Sequence, residues 1–455
     1  MTKTIFLICC VAIFFGCKKT IPQNPTPTPT KDTTQYGVPF GNVPNAADAS
    51  IYQVNMRPFS PAGNFLGVEK RLDSIKSLGI NVVYLMPIYP VGQFKSINSP
   101  YCIRDYKAIA AEFGTLADLR RLVDAAHSKN MSVVLDWVAN HTAYDHIWIA
   151  THRDWYLQDA SANIVSPIGT GWNDVAQLNF DNADMRLEMI KCMKYWIYAA
   201  NIDGYRCDYA DGVPLDFWRQ AIDTLRNIRT HKLLLIAEGN RTQNFNVGFD
   251  FNFGFGFYGL LKAIYNNNTT VLAVGNLNLT EYANANNEQR VVRYTSNHDV
   301  NGSDGTPLAL FGGRNGSIGA FLVSAYMKSV PMLYGSQEVG MTARIIFPFT
   351  STKINWSLNP DITAEYKKIL TLRANTTAIR QGTLTTYSNA NVCAFTKHTS
   401  QEKILVMVNM RSVQTSYPLP TALANTSWTD AVSGQNLQLT TQLVLEPYQY
   451  FIVKQ

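Results

Sequence analysis

Residues 116–138 read LADLRRLVDAAHSKNMSVVLDWV. The first fifteen form an amphipathic helical stretch, and the eight that follow form a β-rich apolar run. The same alternation recurs on both sides. Apolar runs stand at SIYQVNM (50–56), INVVYLMPI (80–88), IDGYRCDYA (202–210), LLLIAEG (233–239), FDFNFGF (249–255), VVRYTSNHD (291–299) and VPMLYGSQE (330–338). With MSVVLDWV (131–138) that makes eight, separated by helical stretches such as MRLEMIKCMKYWIYAAN (185–201). Strands alternating with helices imply a parallel sheet. Eight units over about 300 residues fit a closed (β/α)8 barrel, which takes roughly 250 residues plus insertions. The alternative is an open doubly wound sheet, but no Gly-rich phosphate loop follows the first strand.

The remaining segments attach to this frame. About 64 residues separate the third and fourth runs, and a helix accounts only for the last of them. The excess, TAYDHIWIATHRDWYLQDASANIVSPIGTGWNDVAQLNFDN, predicts a rim insertion at 142–183. Its Trp148, Trp155 and Trp172 suit either sugar stacking or a small core. Past residue 380 the helical period stops, and alternating runs with turn residues predict an antiparallel β domain over 381–455. The barrel is expected over 46–380. The Phe residues of FDFNFGFGF share one strand face and are expected to pack in the core.

The N-terminus carries a Lys, an apolar run from Ile5 to Phe15 and then Gly16-Cys17. The run is too short to span a bilayer and has secretory flanks. A small residue before Cys resembles a bacterial lipobox, so 1–17 is expected to be a lipoprotein signal peptide with Cys17 as the lipid anchor. Residues 18–45, with IPQNPTPTPTKDTTQ, are expected to be an extended Pro/Thr tether. The expected location is an exported outer-membrane lipoprotein facing the periplasm or the exterior, because Lys18 replaces the Asp that retains such proteins at the inner membrane.

Composition excludes other classes. The chain has 455 residues, 46% hydrophobic and 16% charged, enough for a large core. A net charge of +6 without any block of Lys or Arg gives no nucleic-acid footprint. Of seven Cys, the four beyond the leader (Cys102, Cys192, Cys207, Cys393) are widely spaced without a CxxC. That is neither a disulfide framework nor a metal site; mostly buried free thiols are expected, with one disulfide left open.

Chemistry gathers at the C-terminal ends of the predicted strands. Asp136 with Asn140 and His141 follows the third, Arg206 and Asp208 lie on the fourth, Glu238 on the fifth, and His298 and Asp299 on the seventh. In a (β/α)8 barrel these ends converge on one rim. Gathered carboxylates are unfavourable unless offset, which marks a functional cleft. Glycoside hydrolysis uses one carboxylate as nucleophile and one carboxylic acid as proton donor, the latter with a raised pKa. Arg206 and Asp208, two apart on a strand, share a face, so the Arg is expected to hold the Asp ionised.

DWVANH (136–141), GYRCD (204–208), AEGN (237–240) and SNHD (296–299) resemble the four short motifs of the α-amylase family of glycoside hydrolases. YCIRDYKAIAAEFGT (101–115) and VAQLNFDN (175–182) resemble two further segments of that family, all in its order. The resemblance covers residues 49 to about 380. It implies Asp208 as nucleophile, Glu238 as acid/base and Asp299 as stabiliser of the distorted sugar. It further implies Arg206 orienting Asp208, His141 and His298 on sugar hydroxyls, and Tyr101 stacking on the sugar being cleaved. The implied activity is retaining cleavage of α-1,4 bonds in starch-like α-glucans or maltooligosaccharides; the alternatives are a transglycosylase, a sugar isomerase or a non-catalytic glucan binder. No cofactor is required for that chemistry. Asn140 matches a family position that often ligates a structural calcium, whose partner ligands are not identifiable, so any metal stays unknown. Asp211-Gly212 stands where the family often has Lys-His on the leaving-group side, which leaves that preference open.

Overall fold

The computed structural model describes residues 34–455. The signal segment, Cys17 and the tether up to residue 33 lie outside the described residues. Among the described residues no helix is long and apolar enough to cross a membrane.

Eight parallel strands close into a barrel. They are β1 (Ile51–Val54), β2 (Val82–Leu85), β3 (Ser132–Val138), β4 (Gly204–Asp208), β5 (Leu234–Ala237), β6 (Phe251–Phe253), β7 (Arg290–Arg293) and β8 (Val330–Tyr334). Each pairs with its neighbours in sequence, and β8 closes on β1 with Met332 opposite Ile51. Every residue of these strands is buried. One face fills the barrel and the other meets the helices, so the strands read as continuous apolar runs and not as alternation. The helix Leu116–Ser128 shows how the outer layer is set. Thr115 and Asp118 form a capping box at its start, and Leu119, Leu122, Val123 and Ala126 bury one stripe.

Register carries the chemistry to one level. Asp136 lies opposite Arg206 and Val138 opposite Asp208 across β3–β4. Cys207 lies opposite Ala237 across β4–β5, so Asp208 and Glu238 leave adjacent strands side by side.

Several expectations change. The run 291–299 is a strand only to Arg293; His298 and Asp299 open a short helix, His298–Ser303, whose Asn297 cap accepts the N–H groups of Asp299 and Val300. The run 249–255 shortens to Phe251–Phe253, because the helix Phe255–Tyr265 begins at once. The tether does not extend to residue 45. Tyr36 donates to Asp124 at 2.6 Å and Phe40 stacks on His127 at 4.3 Å, so its last part is pinned to the barrel by aromatic side chains the Pro/Thr stretch lacks. Cys102, Cys192, Cys207 and Cys393 are all buried, and none of the four is in a disulfide.

The insertion after β3 is framed by an antiparallel ribbon, His141–Ala143 with Val175–Gln177. Trp148 and Trp155 pack edge to face at 5.1 Å and join the main core, whereas Trp172 turns to the barrel mouth. At the C-terminal end, the strands Val392–His398, Lys403–Asn409 and Tyr450–Lys454 anchor a six-stranded antiparallel sheet. Its alternate residues serve two cores: Cys393, Phe395, Val406 and Val408 join the barrel's, while Val392, Ala394, Leu405 and Met407 form a second with Trp428.

The entry to β4 depends on a glycine. Gly204 has φ +146°, and a Cβ there would sit 1.9 Å from the Leu234 carbonyl oxygen. Gly204→Ala is therefore expected to destabilise the barrel by about 3 kcal/mol, seen as a lower Tm in calorimetry. A Tm equal to wild type would show that β4 can shift to make room.

Candidate active site

The barrel axis holds one buried cation. Arg206, fully buried on β4, donates from Nη1 to Asp136 Oδ1 at 2.7 Å and to Asp208 Oδ1 at 3.0 Å. Its Nη2 pairs with Glu238 Oε1. Asp136 completes its shell from above: Oδ2 accepts from the Tyr84 hydroxyl at 2.6 Å and the Tyr101 hydroxyl at 3.1 Å. Asp136 is thus a supporting residue that fixes the guanidinium.

A second chain of contacts fixes His298. Its Nδ1 lies 2.8 Å from Gln53 Nε2, and its Nε2 lies 2.7 Å from the Tyr101 hydroxyl and 3.2 Å from Asp299 Oδ1. With the Gln53 amide donating to Nδ1, the ring proton stands on Nε2 and is directed at the Tyr101 oxygen, whose own proton goes to Asp136. Burial lowers the pKa of His298 and brings that of His141 down to about 4, so both rings are neutral. Tyr101 stacks on His298 at 5.3 Å. Asp299 stands higher, with its side chain 57% exposed at the rim.

These groups line one cavity of about 620 Å³ at the C-terminal ends of the strands. It brings together Asp208, Glu238, Asp299, His141, His298 and Tyr101. Phe255 lines it too, a departure from the expectation that the Phe run is wholly core; its place at a helix start, beyond the strand, turns it outward.

Electrostatics separates the two central carboxyls. Three carboxyls face one guanidinium in a dry floor, so one cation cannot offset all of them. Burial raises Asp208 to about 7 in spite of the lowering effect of Arg206. Burial raises Glu238 well above the ordinary carboxyl range, with Asp208 and Asp299 adding to it. Arg206 lowers Asp208, as their spacing predicts, but its charge is shared with Asp136 and Glu238.

Around this centre lie residues that the sequence reading missed. Tyr209, left-handed at φ 43°, aims its backbone N–H at Glu238 Oε2, 2.8 Å away. Gln53 and Tyr84 hold the network from β1 and β2; a polar side chain inside an apolar strand run was the signal for both. Asp211 is engaged within the protein. Its Oδ2 accepts the N–H groups of Asn240 and Arg241 at 2.9 and 3.1 Å, and Oδ1 accepts from Asn244 at 2.9 Å. Asn140 exchanges side-chain hydrogen bonds with Gln177, and among the described residues no group of three or more His, Cys, Asp or Glu is arranged to hold a metal ion.

A closed parallel barrel with a buried carboxyl pair at its strand ends, a third carboxyl on the rim and sugar-sized space between them is the architecture of a glycosidase. Comparison with known proteins gives the family. The α-amylase catalytic domain matches residues 27–399, and the maltogenic amylase C-terminal domain matches 383–452. The chain belongs to the α-amylase family of glycoside hydrolases. It is 26% identical to α-amylase MalA of Haloarcula japonica over 408 residues, 86% of this chain and 59% of that protein, so it spans less than two thirds of that relative. It is 25% identical to α-amylase 3 of Dictyoglomus thermophilum over 493 residues, 91% of this chain and 94% of that one. The crystal structure of an α-amylase from Lactobacillus plantarum superposes with a TM-score of 0.80 at 26% identity, over 90% of this chain and 99% of that one.

The raised Asp208 pKa has a consequence for stability. Between the ordinary value of 3.8 and about 7 the unfolded chain releases this proton first, so stability is withdrawn as pH rises through that window. Asp208→Asn cannot ionise. It is expected to gain on the wild type by up to about 4 kcal/mol above pH 7 and by nothing below pH 4. Thermal unfolding of both proteins at pH 4 and pH 8 measures it, and a gain independent of pH would contradict the burial argument.

Proposed function

We propose that this protein is a retaining glycoside hydrolase that cleaves α-1,4-glucosidic bonds in starch-like α-glucans or maltooligosaccharides. The observation that carries this reading is the sharing of one guanidinium by Asp208 and Glu238. Two carboxyls on one guanidinium suit the close spacing of a retaining pair, whereas an inverting pair stands roughly 6.5–9.5 Å apart. Asp208, the more acidic, attacks the anomeric carbon and forms the covalent glycosyl intermediate. Glu238, which keeps its proton, gives it to the leaving oxygen and then deprotonates the water that resolves the intermediate. Asp299 supports the distorted ring. His298 and His141 bind hydroxyls of the same sugar, against the Tyr101 ring. The chemistry needs no cofactor.

The test is maltoheptaose digestion followed by NMR of the product anomer. The α-anomer is expected first, as shorter maltooligosaccharides. The β-anomer would refute retention, and lengthened chains would mark a transglycosylase. Asp208→Asn and Glu238→Gln are each expected to lower kcat at least about 10³-fold while still binding the oligosaccharide. The pH profile of kcat/KM is expected to rise through about 7, where Asp208 ionises, and to fall where Glu238 loses its proton.

We read Cys17 as the lipid anchor of an exported, outer-membrane protein, which would hold the enzyme where glucan fragments enter the cell. Cys17→Ala is expected to move the protein from the membrane fraction to the soluble fraction; wild type that is already soluble would overturn the anchor.

A further inference from the structure

The glycosidase reading leaves the leaving-group side of the cleft without a partner for the departing sugar, and the structure offers one. Tyr209 follows Asp208 directly, its N–H is held by Glu238, the group that serves the leaving oxygen, and its side chain lines the same cavity. Trp172, from the rim insertion, meets that ring edge to face at 4.9 Å and also contacts the His141 ring at 5.4 Å. Both aromatic side chains line the cavity, and both remain open to it, 36% and 37% exposed. Large aromatics left exposed inside a concave site mark a binding surface.

Two neighbours explain how the ring takes this position. Gly212 gives it space: a Cβ there would lie 2.1 and 2.3 Å from two Tyr209 ring carbons. Asp211, which lines the same cavity, has its carboxylate oxygens bonded to Asn240, Arg241 and Asn244, and Tyr209 and Trp172 supply the aromatic surface beside it.

We propose that Tyr209 and Trp172 form the seat of the leaving-group sugar, recognising an α-glucosyl unit by stacking on its apolar face in place of charged hydrogen bonds. The inference rests on the assignment of Asp208 and Glu238, so its test uses two substrates. Maltotetraose presents a sugar to the seat. α-Maltosyl fluoride uses the same nucleophile, but its leaving group is a single fluoride that touches neither ring. The ratio of kcat/KM on maltotetraose to that on the fluoride is expected to fall at least about tenfold in Tyr209→Ala and in Trp172→Ala. In Tyr209→Phe, which keeps the ring, the ratio is expected to stay within about twofold of wild type. Equal losses on both substrates would give the rings a structural role only and overturn the seat, as would no loss on either. Because Trp172 sits on a separate loop, its variant decides the matter if Tyr209→Ala fails to fold. Wild type inactive on both substrates would overturn the glycosidase assignment itself, and the seat with it.

Discussion

The site depends on one guanidinium in the barrel axis. A buried Arg needs its charge offset, and here the carboxylates come from three strands at once: Asp136 on β3, Asp208 on β4 and Glu238 just past β5. The arrangement exists because parallel strands in register end at the same level. A slip of one residue in β4 would turn Arg206 and Asp208 out of the barrel together. The barrel's rigidity and the chemistry are thus the same constraint, and the Tyr84 and Tyr101 hydroxyls on Asp136 extend it to β2 and its loop.

Dividing one cation among several carboxyls also sets their order of ionisation. Full neutralisation would leave both central carboxylates charged and neither able to donate a proton. Complete isolation would leave both protonated and neither able to attack. The sharing lies between: burial raises Asp208 to about 7 and raises Glu238 well above the ordinary carboxyl range, against the lowering effect of Arg206 in each. Tyr209 links the pair. Its strained backbone turns the chain sharply after Asp208, and that turn is what lets its N–H reach Glu238.

The eight apolar runs were legible because strands buried on both faces have only one way to be written. So was the carboxyl set, because strand ends in a parallel barrel converge. The failures have physical causes as well. SNHD looks like a continuation of β7, but Asn297 caps a helix there, a choice made by tertiary packing. Tyr36 and Phe40 follow a stretch of Pro and Thr, and nothing local shows that they will find Asp124 and His127 88 and 87 positions on. Arg206 was paired with Asp208 on spacing alone. That Glu238 and Asp136 compete for it depends on neighbouring strands, which periodicity within one strand cannot report.

Asp211-Gly212 shows where a motif and a structure carry different information. As sequence, the dipeptide is a departure from a family pattern, and a departure reads as something lost. In the fold each residue has work: the carboxylate ties the chain after Glu238 to the chain after Asp208, and the glycine leaves a ring-sized space beside it. A Lys at 211 could not accept those backbone N–H groups, and any side chain at 212 would displace the Tyr209 ring. Position 212 is therefore tied to the Tyr209 ring and position 211 to the chain after Glu238. A departure supported by its own network of contacts is a second solution to the same recognition problem, here written in aromatic rings.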